Sequence, residues 1–157
     1  MSIRIGVFQM VADKRADPAV VAKAAEDLGF NSYWVPEHPI IPVNTSSPYP
    51  GADDGIIPDE YGRILDPFVS LGRASEVTSK IELGTGICLI PERNPLMLAK
   101  EVATLDKLSG GRFILGIGSG GIYRPAARRM LGLPDRSTLG VMREYLTAIR
   151  GLLAGDA

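Results

Sequence analysis

Three short segments carry residues able to do chemistry, and each lies within or just after a stretch that reads as a strand. The first is Glu37-His38. His38 is the chain's one histidine, and an imidazole at the mouth of a loop takes or gives a proton near neutral pH. The neighbouring Glu37 would raise its affinity for that proton or fix its tautomer; a loop-packing histidine is the competing reading. The second segment is Gly86-Ile87-Cys88, inside the apolar run from Ile81 to Ile90. Glycine within a strand marks a bulge or the close approach of a ligand. Cys88 itself reads as inert core rather than as a nucleophile. The third, Gly116 to Gly121 (GIGSGG), formally satisfies G-x-G-x-x-G, with Asp135 near the spacing of a ribose-binding acid. A dinucleotide fingerprint belongs to the first strand and opens directly into a helix, whereas Tyr123-Arg124-Pro125 follows here and no strand precedes Asp135. Gly118, Ser119 and Gly120 instead offer amides, and Ser119 a hydroxyl, to a phosphate or a flat ring. An ordinary tight turn is the alternative.

Other clusters say less. Arg124, Arg128 and Arg129 suit either an anionic cofactor tail or a solvated helix face. Asp53-Asp54 and Asp59-Glu60 lack the spacing of a calcium loop, and one histidine with one cysteine excludes zinc sites built from several imidazoles or thiolates, so no metal is expected. Asn44-Thr45-Ser46 matches a glycosylation sequon without weight in a reduced compartment. A net charge of -1 and a pI near 5.8 supply no basic field, which argues against nucleic acid and membrane surfaces as partners. The single cysteine and the opening MSIRIGVFQM, with no basic segment before a long apolar run, point to the cytoplasm. No apolar stretch approaches the roughly 20 residues that span a bilayer.

The elements that must position these residues alternate. Ile3 to Phe8 reads as a strand. A helix opens at Asp17-Pro18, carries the stripe Val20, Ala24, Leu28 and ends at Gly29. Asn31 to Val35 is a second strand in which Trp34 reads as core. From Pro39 to Asp66 the chain has five prolines and little periodicity; a segment of that length suits an ordered lid over a site, with a disordered excursion as the alternative. Asp66-Pro67 starts a helix to about Ser79, the run Ile81 to Ile90 follows, and Asn94-Pro95 starts a third helix with the stripe Leu98, Val102, Leu105, ending at Ser109-Gly110-Gly111. Arg112 to Gly118 is a fourth strand. Ser137 to Leu153 is a final helix with Leu139, Met142, Leu146, Ile149 and Leu153 on its apolar side. Four alternating β-α units imply parallel pairing through right-handed crossovers, with strands buried on both faces. A doubly wound sheet and part of a (β/α)8 barrel both fit, and in both the ligand meets the C-terminal ends of the strands, which adds Gln9-Met10 to the three segments.

The segments FNSYWVPEH (Phe30 to His38) and IELGTGICLIPERNPLMLAKEVATLDKLSGGRFILGIGSG, in this order of elements, resemble the bacterial-luciferase-like superfamily of flavin and deazaflavin oxidoreductases. The proline-rich insertion ending in LDPF resembles the branch that uses coenzyme F420. The resemblance implies an α/β fold of the TIM-barrel type, present as about half a barrel: residues 1–157 form the N-terminal half, with an active-site lid at about 39–66. It implies a cis peptide at Gly86-Ile87 supporting the cofactor ring, with Cys88 in the same bulge. It also implies His38 as the catalytic acid or base with Glu37 orienting it, and Gly118, Ser119 and Gly120 on the cofactor's phosphate side. The implied activity is hydride transfer between the deazaflavin C5 and a small organic substrate. FMN-dependent monooxygenation is the alternative, although members that bind FMN place an arginine where this chain has Ser119. Relatives that oxidise glucose 6-phosphate carry a glutamate where this chain has Gly121, which speaks against that sugar. A homodimer through the second and third helices is implied as well. A whole barrel needs about 250 residues, so the resemblance leads us to expect a longer protein, or a half that self-associates through its open sheet edges. A non-catalytic half-barrel, acting as a binding or partner subunit, is the reading from another class.

Overall fold

The computed structural model describes residues 3–41, 43, 48–49, 51–120, 129–133 and 136–156; the sequon, Gly121, Tyr123 to Pro125, Arg128 and Asp135 lie outside these residues. Among the described residues, four α-helices of ten or more residues are interspersed with six short strands. They are β1 (Gly6–Phe8), α1 (Pro18–Asp27), β2 (Ser32–Val35), α2 (Pro67–Val77), β3 (Glu82–Thr85), β4 (Cys88–Leu89), α3 (Pro95–Ser109), β5 (Phe113–Ile114), β6 (Ile117–Gly118) and α4 (Thr138–Ala154). The first three helices begin where the sequence says they should, because the residue before each caps free amides. Asp17 accepts from Ala19 N at 2.9 Å, Asp66 from Phe68 N and Val69 N at 2.9 and 3.0 Å, and Asn94 from Leu96 N and Met97 N at 3.0 and 3.2 Å. Proline at the next position in all three gives up an amide that would have had no partner.

The strands form one parallel sheet in the order β1-β2-β3-β5, and the short pair β4-β6 extends its last two strands. The runs Ile81 to Ile90 and Arg112 to Gly118, expected as single strands, are each broken in the middle. At the first break the Gly86-Ile87 bond is cis. The ladder resumes beyond it, with Cys88 N donating to Gly116 O at 2.7 Å.

Side chains alternate across the sheet. Tyr33, Val35 and Leu83 point outward and are fully buried against Ala22, Ala25, Leu71 and Ala74 of α1 and α2. A second core joins Cys88 and Ile90 to Leu98, Ala99 and Val102 of α3 and Ile149 of α4. The α1 stripe differs from the expected one. Val20 and Leu28 are 65% and 77% exposed, and the buried face is Pro18, Ala19, Ala22 and Ala25. Small side chains let α1 lie close to its neighbours, and the larger residues fall on the far side. In α4 the expected Leu139 and Leu153 are likewise exposed, while Val141 and Ile149 carry the burial. The stripe Leu98, Val102, Leu105 of α3 is buried as expected.

The opposite sheet face is open in this chain, so burial on both faces does not hold. Phe8 is 55% exposed. Trp34 belongs to neither core; it is half-buried on this inner face. A Cβ on Gly84 would lie 2.3 Å from its ring, and one on Gly6 would lie 2.9 Å from its indole nitrogen. The glycines are the floor that a large ring needs.

Two side chains fasten the N-terminal end of the strands, away from the candidate site. Arg112 donates to the carbonyl oxygens of Ser75, Thr78, Ile81 and Ser109 at 2.6–3.2 Å. Glu26 accepts from the amides of Ser79, Lys80 and Ile81 at 2.6–3.2 Å.

Candidate active site

At the C-terminal ends of the strands the expected segments converge, with different duties among them. Gln9 is a scaffold residue: its amide donates to Trp34 O at 2.9 Å and its side chain links the Tyr33 hydroxyl (2.5 Å) to Ala16 O (2.7 Å). Met10 beside it is half-buried.

Glu37 and His38, adjacent in sequence, point to different surroundings. Glu37 is 4% exposed. Its Oε2 accepts from Leu89 N at 2.6 Å and its Oε1 from Arg93 Nε at 2.6 Å, and the same Oε1 pairs with the Arg93 Nη2. The carboxylate expected to orient His38 therefore spends both oxygens on β4 and Arg93. It reaches His38 through charge alone. His38 is half-buried beside the Tyr61 ring, with centroids 5.0 Å apart, and Tyr61 in turn meets Tyr49 edge-on with the two hydroxyls 2.6 Å apart. Burial holds the imidazole below its ordinary pKa, and the negative charge of Glu37 only partly offsets that. That shift favours the uncharged imidazole, the form able to accept a proton. It faces a cavity of about 460 Å³ walled by Glu37, Leu65, Asp66, Glu92 and Arg93.

Arg93 is the hub that the sequence did not announce. Besides Glu37 it holds Asp66 at 2.8 Å and Glu101 at 2.9 Å, and its guanidinium lies 4.9 Å from the centre of the Phe68 ring. Burial works to lower the Arg93 pKa, but the hydrogen bond and charge of Glu37, with the hydrogen bond of Asp66, prevail and push it up. Asp66 thus caps α2 with one oxygen and grips Arg93 with the other.

The break between β3 and β4 forms a shelf. Gly86 N donates to Val35 O at 2.7 Å, and Thr85 Oγ1 donates to Gly116 O at 2.8 Å, tying the bulge to strands on both sides. Ile87 is 44% exposed on the open face. A Cβ on Gly118 would sit 1.7 Å from the Ile87 Cδ1, and one on Gly86 would sit 3.2 Å from the Phe8 ring. These contacts bring Phe8, Gly86, Ile87 and Gly118 together as one apolar surface. Cys88 contributes its backbone only: its side chain is fully buried in the second core, where burial foremost and the nearby Glu37 push the thiol pKa up. An inert thiol is what the sequence suggested. Beyond Gly118, Ser119 and Gly120 are half-buried, and Gly120 has φ 84°, a conformation that favours glycine. A flat apolar shelf that ends in a glycine turn fits a ring cofactor with a phosphate-bearing tail.

A profile of the luciferase-like monooxygenase family matches residues 5–157. The chain belongs to that family. It is 43% identical over 148 residues to an uncharacterized protein of Mycobacterium tuberculosis, an alignment covering 94% of this chain and 52% of that protein. The chain spans about half the length of such curated relatives. Among solved structures, the coenzyme F420-dependent tetrahydromethanopterin reductase of Methanopyrus kandleri superposes with TM-score 0.68 and 28% identity, over 96% of this chain and 40% of the reductase. The oxygenating constituent of the Pseudomonas putida 3,6-diketocamphane monooxygenase, solved with FMN, superposes with TM-score 0.72 at 21% identity, over 97% of this chain and 40% of that one; that likeness shows the fold. These neighbours are TIM-barrel luciferase-like enzymes, and the parallel sheet described above is the corresponding part of such a barrel. The family holds both F420-dependent and FMN-dependent members.

Proposed function

We propose that this chain is the N-terminal half of a barrel, with its lid at about 39–66, and that it carries the ring-binding side of an F420-dependent oxidoreductase acting on a small organic substrate. The observation that carries the reading is the apolar shelf of Phe8, Gly86, Ile87 and Gly118 beside a half-buried His38. Residues 86–88 would support the deazaflavin face, and Ser119 and Gly120 would meet its phosphate side. When bound, the deazaflavin supplies or accepts a hydride at C5. The chain's own residues do the rest. His38 accepts or returns the proton that accompanies hydride transfer, from the wall of the cavity where a substrate would lie. The apolar shelf excludes water from the side of the ring it covers, and its attachment to β2 and to Gly116 between β5 and β6 fixes where the ring stands. Ser119, in place of an arginine, favours the deazaflavin over FMN.

The test is a titration of the protein with F420 and, separately, with FMN, followed by fluorescence. The reading requires saturable F420 binding tighter than FMN binding; tight uptake of FMN with no response to F420 would replace it with a flavin-dependent monooxygenase. A homodimer through α2 and α3 belongs to the same reading. Val69, Leu96 and Met97 stand 74%, 61% and 61% exposed on those helices, and a monomer at micromolar concentration in sedimentation velocity would remove the dimer from it.

A further inference from the structure

Arg93 ties together three parts of the candidate site. Its side chain is 17% exposed, and its three carboxylate partners come from three elements: Glu37 after β2, Asp66 at the head of α2 and Glu101 on α3. The Glu37 side chain is 1% exposed, and its second oxygen holds the Leu89 amide immediately beyond the bulge. A buried carboxylate needs a partner of opposite charge. Without the guanidinium, Glu37 could not keep this position at no cost, and the next residue along the chain, His38, is the one that faces the cavity.

We propose that Arg93 is a positioning residue of the site: it aims the Glu37 carboxylate at the Leu89 amide, holding the bulge in register, and balances the negative charge that His38 would otherwise meet. The inference rests on the proposed use of His38 as a proton acceptor and of the bulge as the ring's support. It accounts for two observations together. Glu37 makes its hydrogen bonds to Leu89 and Arg93 although it adjoins His38 in sequence. Burial holds the imidazole below its ordinary pKa against the charge of the adjoining Glu37, and the cavity His38 faces is walled by two further carboxylates, Asp66 at the head of α2 and Glu92 next to Arg93, with the Tyr61 ring from the insertion against the imidazole. Among these, Arg93 is the cation. Removing it leaves the Glu37 charge unbalanced one residue from His38.

The experiment is an NMR titration of the His38 ring protons in the protein, with His38→Asn identifying the signal, in wild type, Arg93→Gln, Arg93→Lys and Glu37→Gln. The expected results are an upward displacement of the His38 midpoint by about 0.5 pH unit or more in Arg93→Gln, a midpoint restored toward wild type in Arg93→Lys, and a downward displacement in Glu37→Gln. Exchange of the Leu89 amide should quicken in Arg93→Gln and stay slow in Glu37→Gln, where an amide oxygen still accepts from it. A folded Arg93→Gln with an unmoved or lowered midpoint overturns the proposal. If Arg93→Gln does not fold, the double variant Arg93→Gln/Glu37→Gln decides: a recovered fold supports the role, because the buried charge that needed the guanidinium is gone, and a double variant that stays unfolded overturns it. The titration needs no cofactor, so a protein that binds neither F420 nor FMN refutes the functional reading while the role of Arg93 is still judged.

Discussion

Gly116 offers the sharpest test of how the shelf is built. A Cβ added there would lie 2.1 Å from the Thr85 carbonyl oxygen and 3.3 Å from its carbonyl carbon. The obstacle is backbone, so no side-chain rotation relieves it, and β5 and β6 must move away from β3 by about 1 Å to restore ordinary contact. The same carbonyl of Gly116 accepts from Cys88 N at 2.7 Å and from Thr85 Oγ1 at 2.8 Å. Both bonds lie in that gap. Each is worth about 1 kcal/mol, and forced overpacking costs about 1–3 kcal/mol. Gly116→Ala is therefore expected to lower unfolding free energy by about 3–5 kcal/mol in urea denaturation, and to weaken cofactor binding because the shelf loses its tie to β6. Gly72→Ala is the control. Gly72 lies inside α2 with open space around its Cβ position, so alanine there should stabilise by about 0.5–1 kcal/mol. A loss below about 1 kcal/mol in Gly116→Ala would refute the close approach of β5 to the bulge on which the reasoning rests.

Three further outcomes concern other parts of the molecule. Arg112→Met leaves carbonyl oxygens of Ser75, Thr78, Ile81 and Ser109 without their donor; the expected loss is about 3 kcal/mol or more by urea denaturation, with the site's cofactor affinity changed far less. In Glu26, burial acts to raise the carboxyl pKa, but hydrogen bonds from Ile81, Lys80 and Ser79 outweigh it and hold the pKa below its ordinary 4.5. A depressed carboxyl pKa stabilises the fold above the unfolded value and is lost as pH falls through the folded one; the stability gap between wild type and Glu26→Gln should be full at about pH 6 and narrow as pH falls below about 4.5. His38→Asn should leave F420 affinity within about threefold while slowing turnover by about 100-fold or more, and equal losses in both would make His38 a binding residue instead.

Much of this is legible in the sequence where the cause is local. Asp17-Pro18, Asp66-Pro67 and Asn94-Pro95 announce helix starts because the cap and the amides it satisfies lie within three residues. Gly84 and Gly86 announce a bulge because glycine adds nothing to a packed strand and is of use there chiefly where the backbone bends or another group comes close; the family resemblance puts the cis bond where the structure has it. The buried face of α1 is hidden because Val20 and Leu28 outweigh alanines on any hydrophobic scale, whereas the helix packs through Ala19, Ala22 and Ala25. Trp34 is hidden because period-two alternation does not say which face of a sheet is the inner one. Arg93 has a plainer reason: its partners Glu37 and Asp66 lie 56 and 27 residues earlier in the chain. Tyr61 lies in a proline-rich stretch with no periodicity to aim it, so its place against His38 has no signal in the sequence.

The central claim is that the bulge and the glycine turn are the cofactor's seat, and hydrogen exchange read by mass spectrometry with and without F420 tests it most directly. The account predicts slowed exchange confined to peptides spanning 84–92 and 113–120, with no change in the groove between α1 and α2 that Asp17, Pro18, Val69 and Arg73 line. Protection in that groove, or no protection anywhere at saturating F420, would contradict it.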